Sequence, residues 1–296
     1  EPKFMIGGSI VALVTPMKSD ESVDWECLDS LVDWHVQSGT QGIVPVGTTG
    51  ESPTVTPQEH CEIVRTVVEV ARGRLPVIAG TGANSTREAI EFTSFAKEIG
   101  ADACLLVTPY YNKPTQEGLV LHYQAIAKAV DLPQILYNVP SRTGCDLLPE
   151  TVKRLSETEQ VFGIKEATGL VERAAQIRAL CGDEFMIYSG DDETACELMI
   201  QGGHGTISVT ANLVPEQMAL MSAAAVSGDR TLAETLNAPL MGLHQKLFLE
   251  ANPIPVKWAL AQMGRIPEGI RLPLTSLSEE HHQSVVAAMA QAGIVQ

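Results

Sequence analysis

Eight short apolar runs, rich in β-branched residues and separated by amphipathic stretches, constrain this chain more than any other feature of its sequence. They occupy 9–14, 42–46, 76–79, 103–107, 134–137, 161–165, 186–189 and 206–209, at intervals of roughly 20 to 35 residues, the spacing of repeated βα units. The runs are apolar throughout rather than alternating, as strands covered on both faces should be. Between them the pattern predicts helices, for instance over 24–38, 56–71 and 86–99. Ser85-Thr86-Arg87-Glu88 places a Ser three residues before a Glu, which suits a capping box, and Gly39 and Gly100 stand at helix stops.

Spacing alone leaves open whether eight such units close into a barrel or lie as a doubly wound sheet. A dinucleotide-binding sheet would open with a G-x-G-x-x-G turn after its first strand. Here Val14-Thr15-Pro16 follows instead, and the later Gly80-Thr81-Gly82 lacks a third glycine, so it reads as a tight barrel loop. Beyond about Pro215 only helices are expected, broken at Gly228, Pro239, Pro253, Pro255 and Pro273. The fold expected is α/β: a (β/α)₈ TIM barrel over residues 5–225 with a helical C-terminal region over 226–296. Glu1 to Phe4, ahead of Met5, are expected to be an added leader outside the fold.

A balance of 20 Lys+Arg against 36 Asp+Glu gives a net charge of −16, which works against a nucleic-acid or acidic-membrane partner. No apolar run reaches about 18 residues, and the N-terminus lacks the basic, apolar, small-residue order of a signal peptide, so a cytoplasmic location is expected. Six cysteines without a C-x-x-C pair read as reduced thiols rather than a disulfide frame or zinc site. His281 and His282 are adjacent and would point to different helix faces, so no metal site is expected there.

In a barrel, reactive residues come from loops at the C-terminal ends of strands. Three such ends are unusual: Gly47-Thr48-Thr49-Gly50-Glu51, Tyr137-Asn138-Val139-Pro140-Ser141-Arg142-Thr143-Gly144, and Lys165-Glu166-Ala167-Thr168-Gly169. Lys165 ends an apolar run, where burial disfavours the ammonium and supplies a neutral amine for attack on a carbonyl. Pairing with Glu166 or another carboxylate is an equally open reading of the residues alone. Thr48 and Thr49 offer two hydroxyls in a turn that suits a carboxylate, although such turns are also ordinary loop chemistry. Tyr137 is either a proton relay or a core tyrosine, and Arg142 either forks onto a carboxylate or sits in solvent.

Together with Val107-Thr108-Pro109-Tyr110-Tyr111-Asn112 and Ser189-Gly190-Asp191-Asp192, these segments resemble the dihydrodipicolinate synthase family of the N-acetylneuraminate lyase superfamily, over nearly the whole chain. The resemblance implies that Lys165 forms an imine with pyruvate, whose enamine adds to L-aspartate 4-semialdehyde without a cofactor. It implies a proton relay of Thr48, Tyr137 and Tyr111, with Tyr111 reaching in from a second subunit of a homo-oligomer, expected to be a homotetramer. Thr49, Gly190 and Ile207 would complete the pyruvate pocket, and Arg142 would hold the semialdehyde carboxylate. A sugar-acid lyase of the same superfamily has no need of Arg142 at that position. A non-catalytic, amino-acid-sensing barrel should have lost the lysine or a relay hydroxyl.

Lysine-inhibited members bind their end product between subunits, and the matching positions are Ser52, His60, Asn84, Glu88 and Tyr110, with Pro53 and Pro57 beside them. Pro57 stands where inhibited bacterial relatives carry a histidine. Proline offers no side-chain donor or acceptor and no backbone N–H, so weak inhibition is expected.

Overall fold

The computed structural model describes residues 5–295, so the expectation for residues 1–4 lies outside it. Eight strands form in chain order: β1 (Gly8–Ala12), β2 (Gly42–Val44), β3 (Ile78–Gly80), β4 (Ala103–Val107), β5 (Gln134–Asn138), β6 (Val161–Glu166), β7 (Met186–Ser189) and β8 (Gly205–Ser208). All pair in parallel in the order β2-β1-β8-β7-β6-β5-β4-β3. The two ends meet through a parallel bridge between Ile43 and Val77, with Ile43 N–H donating to Pro76 O at 3.0 Å and Gly80 N–H to Pro45 O at 3.0 Å. That contact closes the ring and decides between barrel and open sheet.

The uniform apolarity of the runs follows from this closure, because each strand buries both faces. Ile10, Val44, Ile78, Leu105, Ile135 and Ile207 pack in an inner cluster. Val11, Ile43, Leu106, Leu136, Ile164 and Ile187 belong to the larger cluster under the helices. Burying such a side chain is worth about 1.5–3 kcal/mol, so a register slip in any strand is strongly disfavoured. The second run, expected to reach residue 46, stops at Val44, since Val46 adopts φ 54°, a left-handed conformation that no strand can continue.

The helices alternating with the strands are α1 (Trp25–Gln37), α2 (Pro57–Ala71), α3 (Thr86–Glu98), α4 (Gln116–Ala129), the single turn α5 (Pro140–Thr143), α6 (Pro149–Ser156), α7 (Val171–Cys181), α8 (Asp192–Ile200) and α9 (Pro215–Val226). Asp24 caps α1, its carboxylate accepting from Cys27 N–H. Thr56, expected inside a helix, instead caps α2 and forms a complete capping box with Glu59. At Ser85 only the forward half of the expected box is made, Glu88 N–H donating to Ser85 Oγ at 3.4 Å. Gly39 and Gly100 follow their helices at positive φ, as expected.

Helices α10 (Arg230–Asn237), α11 (Met241–Lys246), α12 (Ile254–Gln262) and α13 (His282–Gln291) follow the barrel. A buried chain fastens them to it: Thr210 Oγ1 lies 2.8 Å from His244 Nδ1, and His244 Nε2 lies 2.8 Å from Asn237 Oδ1. His282 stacks on Trp258, with ring centroids 4.3 Å apart, and its Nε2 lies 2.9 Å from Leu277 O. The six cysteines are free thiols. Among the described residues, no helix is long and apolar enough to cross a membrane.

Candidate active site

Lys165 is the fifth residue of β6 and projects into the barrel, in register with Tyr137 on β5 and Tyr188 on β7. It is 7% exposed, and its Nζ lies 4.1 Å from the centre of the Tyr137 ring. Alternation along the strand sends the next residue the other way. Glu166 accordingly points outward, its carboxylate accepting from the Thr168 N–H at 3.1 Å and hydroxyl at 2.6 Å. Burial raises the Glu166 carboxyl above the usual range, against the lowering effect of those bonds. Among the described residues Lys165 forms no ion pair, so the reading of a lysine paired with Glu166 does not hold.

Thr48, Thr49, Tyr137 and Lys165 line one cavity of about 270 Å³. Thr48 and Thr49 sit in a tight turn in which Gly50 N–H donates to Gly47 O at 3.1 Å and Glu51 N–H to Thr48 O at 3.0 Å. Gly190 packs beside the lysine without lining the cavity: a Cβ there would stand 3.1 Å from Lys165 Cγ and Cε. Ile207 belongs to the inner cluster with Tyr137. Arg142, on α5, is exposed and does not line this cavity; its Nη2 donates to Asn252 O at 3.3 Å.

Tyr111 stands apart from these residues. It is 89% exposed, has φ 77°, and does not line the cavity of its own chain. Its neighbour Tyr110 does, together with Ser52, Pro57, His60 and Glu88, so the two groups of residues singled out in the sequence open onto one continuous space. Asn84 stays outside that lining, donating from Nδ2 to Tyr110 O at 3.1 Å. His60 stacks on Phe92 at 4.2 Å, and burial lowers its pKa to about 4, so its ring is neutral near pH 7.

Three residues near the site escaped the sequence reading. Phe92 carries no polar signal. Asn252 donates from Nδ2 to Thr49 Oγ1 at 3.0 Å and leaves its buried Oδ1 without a partner. Lys257 reaches Glu51 at 2.6 Å from 206 positions away, a distance that no local pattern encodes.

Fold and site together define a class: a (β/α)₈ barrel with a buried lysine near the C-terminal end of its sixth strand, free of ion pairs among the described residues and sharing a cavity with two threonines and a tyrosine. Residues 5–292 match the dihydrodipicolinate synthetase family, and the chain belongs to it. It is 63% identical over 292 residues to the 4-hydroxy-tetrahydrodipicolinate synthase of Alcanivorax borkumensis, covering 99% of each. It superposes with a TM-score of 0.97 on the chloride-inhibited dihydrodipicolinate synthase of Acinetobacter baumannii complexed with pyruvate, at 57% identity over 98% of this chain and 100% of that one. A lysine-bound synthase from Cyanidioschyzon merolae matches with a TM-score of 0.95 at 40% identity, over 99% of this chain and 100% of the other.

Proposed function

We propose that the chain is a lyase of the class I aldolase type that condenses pyruvate with L-aspartate 4-semialdehyde to 4-hydroxy-tetrahydrodipicolinate, a step of lysine and diaminopimelate biosynthesis. The observation that carries this reading is the buried Lys165, free of any ion pair and set against Tyr137 in a cavity with two threonines. The Lys165 amine attacks the keto carbon of pyruvate, and loss of water leaves an imine. Removal of a methyl proton gives the enamine, which adds to the aldehyde carbon. The amino group of the semialdehyde then displaces Lys165 by transimination, closing the ring and freeing the enzyme. Thr48 and Tyr137, joined by Tyr111, pass protons in these steps, which call on no metal or organic cofactor.

Thr49, Gly190 and Ile207 shape the pyruvate pocket in this scheme, within a catalytic barrel over 5–225 followed by the 226–296 helical region. The exposure and left-handed backbone of Tyr111 fit a side chain that completes the site of a second subunit, in a homo-oligomer that we take to be a homotetramer in the cytoplasm. Turnover of pyruvate with L-aspartate 4-semialdehyde, run beside pyruvate with N-acetylmannosamine, tests the assignment. Turnover of the sugar alone would move the chain to the sugar-acid lyases, and turnover of neither would make it a non-catalytic barrel.

Arg142 is exposed and bonded to Asn252, which in turn holds Thr49, and in this scheme only the second substrate presents a carboxylate to it. Arg142→Ala should therefore raise the KM for the semialdehyde by about 10- to 100-fold, the loss of one hydrogen bond to a charged group. Imine formation with pyruvate should stay within about twofold of the parent enzyme. An equal effect on both steps would make Arg142 structural.

Ser52, His60, Glu88 and Tyr110 line the cavity, with Asn84 bonded to Tyr110 beside them, and together they suit free lysine, with Glu88 taking the ammonium. Pro57 supplies no donor there. Pro57→His should lower the L-lysine concentration that halves activity by about tenfold, the worth of one added hydrogen bond. An unchanged dose–response curve would assign the lining no role in inhibition.

A further inference from the structure

The Thr48–Thr49 turn is bounded on both sides by residues in an unfavourable backbone conformation. Val46 has φ 54° and Glu51 has φ 61°. The left-handed region is costly for a β-branched valine, and such residues persist only where their surroundings over-determine them. Part of the constraint is backbone packing: a Cβ on Gly80 would stand 2.4 Å from Val46 O, so β3 lies directly against the turn. Thr15 Oγ1 adds a 2.7 Å bond to Gly50 O. The rest comes from the far end of the chain. Glu51 turns its carboxylate inward, where Oε2 accepts from Lys257 Nζ at 2.6 Å and Oε1 from Arg271 N–H at 3.1 Å. The side chains of Glu51 and Lys257 are 1% and 4% exposed.

A buried ion pair is seldom retained for stability, since apolar residues of similar volume often serve as well, and its best-attested use is to fix a register. Here the register concerned is that of the turn carrying two site hydroxyls. Burial pulls the Lys257 ammonium down, opposed by the Glu51 charge. Asn252, five positions before Lys257, holds Thr49 Oγ1 directly. The segment that begins α12 therefore grips the turn at two places, its charged anchor and one of its hydroxyls.

We propose that Lys257 is a positioning residue for the condensation: through its ion pair with Glu51 it holds the left-handed turn that aims Thr48 and Thr49 at pyruvate. Lys257 is not among the residues that line the cavity. The proposal rests on the assignment of Lys165 as the imine-forming residue, so the parent enzyme must first be shown to trap pyruvate under borohydride. Failure of that step would count against the assigned reaction and not against the clamp.

The test compares the parent with Lys257→Met, Lys257→Arg and the double variant Glu51→Gln with Lys257→Met, which removes both charges and leaves neither buried alone. Thermal midpoint, the rate of imine formation and the pyruvate concentration giving half that rate are measured per folded chain. For both variants carrying Lys257→Met, the half-saturating pyruvate concentration should rise and the maximal rate fall, together lowering their ratio by about tenfold or more. Lys257→Arg should recover most of the loss, because a guanidinium can still reach Glu51. Imine kinetics within about twofold of the parent, even with a lowered thermal midpoint, would overturn the proposal. So would failure of Lys257→Met and the double variant alike to fold, which would assign the pair to barrel stability alone.

Discussion

Lys165→Ala is expected to abolish covalent capture of pyruvate and to lower kcat by about 10³-fold or more, because binding and proton relay cannot replace a missing nucleophile. With pyruvate present, borohydride should reduce the imine and leave the added mass on Lys165 alone in peptide mapping. The structure gives reasons for that selectivity. Lys165 is 7% exposed, forms no ion pair, and faces an aromatic ring whose centre is 4.1 Å away. The other deeply buried lysine, Lys257, is engaged by Glu51 at 2.6 Å and should stay unlabelled. Its labelling in place of Lys165 would move the imine to another nucleophile, and the absence of any label would remove the imine from the mechanism. Folding should change little in the alanine variant, since Lys165 holds no partner whose charge would be left buried and unpaired.

Lys165 was legible in the sequence because it interrupts an apolar run at a strand's C-terminal end, and the barrel was legible because its strands are buried on both faces. Local chemistry placed helix starts nearly as well, yet it favoured Ser85 over Thr56 for a capping box. The two sites carry the same Ser/Thr-x-x-Glu signature, and only Glu59, which also receives a bidentate pair from Arg271, turns back toward its cap. The end of β2 was read two residues late because valine favours strands, whereas Val46 is forced out of one by the turn and by Gly80 packed against it. The C-terminal region was legible only as helices. That Asn252 and Lys257 return to the second strand end depends on tertiary contacts 203 and 206 positions apart. Tyr111 shows the opposite situation: its role was implied by resemblance alone, and on the single chain it stands exposed and outside the cavity.

Gly190→Ala is expected to lower kcat by about 100-fold while the fold survives, the cost of displacing a reacting group by about an ångström. The argument is steric. Gly190 is not among the glycines with positive φ, so alanine meets no backbone penalty there. The added Cβ, however, would stand 2.6 Å from Ala167 Cβ and 3.1 Å from Lys165 Cγ and Cε. The first of these distances is too short for two carbons, so one side must give. Relief of that contact shifts backbone held by Gly190 N–H to Glu166 O at 2.8 Å and Ala167 N–H to Asn138 O at 2.9 Å, and the lysine stem, packed at 3.1 Å against the same Cβ, is displaced with it. Rotation of that stem moves Nζ away from Tyr137 and from the threonines. Borohydride trapping should then still label Lys165, but about 100-fold more slowly at saturating pyruvate, with a modest fall in thermal midpoint. A slowed kcat with an unchanged trapping rate would place the effect on a later step, and a variant within about threefold of the parent in both would mean that the packing beside the lysine yields without moving it.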